Sequence, residues 1–104
     1  MVIDDIRDLL AAPGPAASKT FLERVDSTLT DGYAQALQLE GERGRIERRI
    51  AEVVAGLPAD ADRDHEPELV ALAERLRTSN ESIETLRALL TSLRERRSEL
   101  RTAA

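Results

Sequence analysis

The run Leu69-Val-Ala-Leu72-Ala-Glu-Arg-Leu76-Arg-Thr-Ser79-Asn-Glu-Ser-Ile83-Glu-Thr-Leu86-Arg-Ala-Leu-Leu90-Thr-Ser-Leu93 spaces its apolar residues alternately three and four apart. Only Ser79 interrupts it. A stripe of period 3.5 is the signature of a helix that supercoils left-handedly against a partner. Labelled as heptads, its a positions are Leu69, Leu76, Ile83, Leu90 and Arg97, and its d positions are Leu72, Ser79, Leu86, Leu93 and Leu100. The same spacing runs from Leu22 to Leu57, with Leu22, Leu29, Ala36, Arg43, Ile50 and Leu57 at a and Val25, Gly32, Leu39, Ile46 and Val53 at d. The sequence therefore predicts two long helices that face one another.

The flanking residues agree with that period. Thr20 with Glu23, or Ser18, can cap the first helix, and Gly56, Leu57 and Pro58 can end it. Pro67 stands where a first-turn proline loses no hydrogen bond. The loop, residues 58–66, is short enough to turn the second helix back on the first. Antiparallel pairing then sets Val53 against Leu69, Ile50 against Leu72, Leu39 against Ile83 and Leu22 against Leu100. The same register brings Arg43 opposite Ser79 as one polar layer in the seam, and Arg97 opposite Val25.

Ahead of the hairpin, residues 1–12 carry Val2, Ile3, Ile6, Leu9 and Leu10 at amphipathic helical spacing. A Pro/Gly hinge, residues 13–17, separates this segment from the hairpin, residues 18–104. The short helix is acidic through Asp4, Asp5 and Asp8, whereas Arg94, Arg96, Arg97 and Arg101 make the open end of the hairpin basic. Opposite charges predict that the helix caps that end, of its own hairpin or of a partner's.

Composition narrows the function. The 104 residues are 34% charged with only Phe21 and Tyr33 as aromatics, which suits a coiled coil and not a thick globular core. Without cysteine there is no disulfide framework or thiolate site. The acidic start and the absence of a long apolar run predict a cytoplasmic protein with no membrane span. A net charge of −5 argues against nucleic acid as a partner. Fourteen of the fifteen basic residues are Arg, the usage of a high-GC bacterial genome.

The hairpin tip is strongly acidic through Asp60, Asp62, Asp64, Glu66 and Glu68. Its Asp-x-Asp-x-Asp spacing matches the start of a calcium-binding EF-hand, but His65 and Ala71 occupy the positions of the required Gly and Glu. One histidine cannot form a multi-histidine metal site. No metal, cofactor or catalytic group is expected. In outline the acidic tip on an antiparallel coiled coil resembles the arm of the transcript-cleavage Gre factors, although no sequence motif of that family is present and neither is its docking domain. That resemblance implies a transcription-regulatory coiled coil whose tip contacts a basic channel or partner.

The outer face of the first helix carries a stripe of small residues, Ala34, Leu37, Gly41, Gly44, Ala51 and Ala55. Interior glycines cost about 1 kcal/mol each relative to alanine, which close approach by another backbone would offset. The expectation is an all-α antiparallel hairpin, dimerising through this stripe into a four-helix bundle. Its function is expected to be non-enzymatic: an interaction or adaptor module for a protein partner.

Overall fold

The computed structural model describes residues 1–12, 19–56 and 65–103, and they form three helices with no strand among them. Helix α1 spans Val2–Ala11, α2 Lys19–Ala55 and α3 Glu66–Ala103. The Pro/Gly hinge and most of the acidic tip lie outside the described residues.

Each helix start reflects its local sequence. Asp4 and Asp5 sit in the first turn of α1, where their charge complements the helix dipole, and the Asp5 amide donates to the Met1 carbonyl at 3.0 Å. Because α2 already begins at Lys19, Thr20 lies inside its first turn and not at the cap. The end of α2 falls at Ala55, where the Gly56 amide closes the last turn on the Glu52 carbonyl at 3.0 Å. No described glycine has positive φ, so Gly56 ends the helix without the left-handed conformation that glycine permits. Pro67 occupies the second residue of α3, where its missing amide costs nothing.

The chain divides into two compact units: Met1–Leu37 with Glu84–Ala104, and Gln38–Ile83. In the first, the α2/α3 seam buries Val25, Leu29, Ala36, Leu86, Leu90, Leu93 and Leu100. Helix α1 packs on this seam through Ile6 and Leu9, and Ile6 is completely inaccessible. Gly32 shows why the three helices can approach: a Cβ built there would meet Leu90 Cδ2 at 2.4 Å and Ile6 Cδ1 at 3.7 Å. Gly32 and Leu90 therefore face one another in the register set by Leu22 and Leu100. The short helix thus packs beside the Gly32/Leu90 layer of its own hairpin, about ten residues in from the end it was expected to cap.

On α2 and α3 in this unit, the heptad g positions Phe21, Thr28, Leu89 and Arg96 are half-buried and Gln35 is exposed, whereas the e positions Asp26, Tyr33, Arg87 and Arg94 are all exposed. Burial on one flank only places α1 over the g side. Polar pairs line the other flank: Arg97 donates to Asp26, and Arg94 donates to the Tyr33 hydroxyl at 3.5 Å.

The second unit is a two-helix structure. Ile46, Val53 and Leu72 form its core, with Ile50, Leu69 and Leu76 packed around them. Those contacts match the register in which Ile50 meets Leu72 and Val53 meets Leu69. Its buried side chains keep between 3% and 7% exposure; those of the three-helix unit span 0% to 8%, with Ile6, Val25, Leu86 and Leu93 fully inaccessible.

Candidate interaction face

An open groove runs along the second unit between α2 and α3. Leu39, Ile46 and Leu72 supply its apolar floor. Around it stand Glu42, Arg45 and Arg49 from α2 and Glu74 and Arg75 from α3. Leu39, Glu42, Ile46 and Arg49 repeat three or four apart because they follow the d and g positions of the heptad, and Arg45 stands at a c position just outside them. This is the heptad face that α1 covers in the three-helix unit. There the g positions are Phe21, Thr28, Gln35, Leu89 and Arg96, two of them apolar, whereas none of Glu42, Arg49, Arg75 and Ser82, which hold them here, is apolar.

The rim charges are not equivalent. Arg49 pairs with Glu68 at 2.7 Å and with Glu52 at 3.6 Å, and its Nε donates to Glu68 at 2.8 Å. The hydrogen bond to Glu68, and then the charge of that carboxylate, raise the Arg49 pKa above its ordinary value. Glu42, Arg45, Glu74 and Arg75 make no ion pair or hydrogen bond among the described residues. Two free charges of each sign therefore border an apolar floor.

A third residue, Asn80, joins the polar layer. Arg43 Nη1 donates to Asn80 Oδ1 at 3.4 Å, and its Nε lies 3.9 Å from Glu47. The Ser79 hydroxyl is buried with no hydrogen-bond partner. Asn80 follows Ser79 in sequence and carries a longer side chain on the e flank, which lets it reach the guanidinium from outside the seam.

Of the tip acids, Asp60, Asp62 and Asp64 lie outside the described residues. Glu66 is exposed, and Glu68 is committed to Arg49. In the small-residue stripe Ala34, Gly41, Ala51 and Ala55 are exposed, Gly44 is half-buried and Leu37 is 71% exposed. Among the described residues, the side chains nearest an added Cβ at Gly41 and Gly44 are the guanidinium ends of Arg45 and Arg48 on their own helix, at 3.8 and 4.0 Å. Of the three interior glycines, Gly32 has its close neighbours within this chain.

The groove escaped the sequence reading because a g-position charge looks like an ordinary solvated residue. The available signal was the change along one heptad face from Phe21 and Leu89 to Glu42, Arg49 and Arg75.

Among the described residues no group of three or more His, Cys, Asp or Glu side chains could hold a metal ion, and no helix is long and apolar enough to cross a membrane. Comparison with protein-family models, curated proteins and solved structures found no match.

Proposed function

We propose that this chain is a non-enzymatic protein–protein interaction module whose contact surface is the groove of the two-helix unit. The observation that supports this is the contrast between the units. On one heptad face α1 covers the seam, and on the same heptad face of the other unit an apolar floor is bordered by four charges that are unpaired among the described residues. A helical partner laid along such a groove would bury Leu39, Ile46 and Leu72 more deeply and offer counter-ions to the rim. Proteins gain specificity from rim charges and affinity from the apolar centre.

The test uses the full chain as bait, with cross-linking, against an extract of its native host. Ala71 and Ser82 lie at the groove and can be replaced without touching the floor, so Ala71→Arg with Ser82→Arg should preserve helicity and abolish groove-dependent capture of protein, whether copies of this chain or another species. Identical capture by wild type and variant would refute the reading.

A further inference from the structure

The free charges of the groove say which partner fits. We infer that the groove of the two-helix unit is occupied by the same groove of a second copy, so that two helix pairs close into a four-helix assembly. The inference rests on the reading of the groove as the contact surface and specifies its occupant. In a two-fold symmetric contact the same patch appears on both sides, so the patch must complement itself. A rim of one sign would repel its copy. This rim carries Glu42 and Glu74 against Arg45 and Arg75, all unpaired among the described residues, while the fifth charge, Arg49, is satisfied by Glu68 and Glu52. The free charge sums to zero, and each sign occurs on both helices. An acidic helix resembling α1, with Asp4, Asp5 and Asp8, would satisfy Arg45 and Arg75 but would set carboxylates against Glu42 and Glu74.

The interface is centred on the flank of the seam, with Arg45 at its outer edge beside Gly41 of the α2 stripe. The stripe offers glycines but no charge pattern to select a partner. The groove offers an apolar floor continuous with the Ile46, Val53 and Leu72 core. Two such floors facing one another would bury each seam from the side that α1 covers in the other unit.

Charge exchange on the purified full-length chain tests this. Sedimentation of wild type should show a species of twice the chain mass whose fraction rises with concentration. The acidic-rim variant Arg45→Glu with Arg75→Glu, and the basic-rim variant Glu42→Arg with Glu74→Arg, should each sediment as a folded monomer, with wild-type helicity by circular dichroism. Mixing the two should restore the double-mass species, because opposite rims then meet. A monomeric wild type, single-sign variants that still dimerise, or a mixture that stays monomeric would each overturn the inference. Should the purified chain stay monomeric while the Ala71/Ser82 variant loses capture from extract, the groove binds a different protein and the proposed function stands without this occupant. Should that variant capture as wild type does, the proposed function itself fails.

Discussion

Glycine at three places in one helix has two different meanings. At Gly32 an added methyl would collide with Leu90, which is itself buried beside Ile6, so relief requires repacking of three helices. Gly32→Leu should therefore lower the unfolding free energy by about 1–3 kcal/mol through overpacking. The readout is a lower denaturant midpoint at unchanged slope. At Gly41 and Gly44 the space is open and the arginine ends nearby can move. Gly41→Ala and Gly44→Ala should each raise stability by about 0.5–1 kcal/mol, the ordinary gain in helix propensity. Destabilisation by either alanine would return the outer stripe to the role of a packed interface. Arg49→Gln removes an exposed ion pair and should change stability by less than about 1 kcal/mol, an effect that shrinks further as salt rises.

Among the elements, α1 carries the asymmetry of the molecule. Ile6 is its anchor, and Ile6→Ala should cost about 2–5 kcal/mol in the three-helix unit. Ile6→Asp should release α1 and reduce amide protection at Val25, Leu86 and Leu93 more than at Ile46 and Leu72; an equal loss at all five would show that α1 does not act locally. Both long helices and their register were legible in the sequence, because a and d residues such as Ile50, Val53, Leu69 and Leu72 leave few ways to bury one stripe. The lateral placement of α1 was not. Opposite charge pointed the acidic helix toward the basic end, but burial of Ile6 and Leu9 against a seam opened by Gly32 outweighs exposed charges that water and salt screen. The signal was present in Gly32 at a d position, a vacancy opposite Leu90 between the apolar layers of Leu29 and Ala36. Arg43 was read against Ser79 because both fall in the same seam layer, yet heptad labels do not encode side-chain reach, and Asn80 extends far enough to accept its hydrogen bond.

For the molecule as a whole, the contrast between a covered and an uncovered helix pair is the central claim. Leu72 is a core residue of the two-helix unit, and Leu72→Ala should cost about 2–5 kcal/mol there, with the smaller values expected if the open groove lets neighbouring side chains collapse into the gap. If a second copy closes that groove, stability of the unit depends on concentration, whereas α1 makes the three-helix unit independent of it. Residue-resolved amide hydrogen exchange over a dilution series measures both halves of this claim at once. Val25, Leu86 and Leu93 should exchange slowly at every concentration, while protection at Ile46 and Leu72 should be weaker in dilute protein and rise as the chain is concentrated. Equal protection of the two groups in dilute solution, or protection at Ile46 and Leu72 that does not change with concentration, would contradict it.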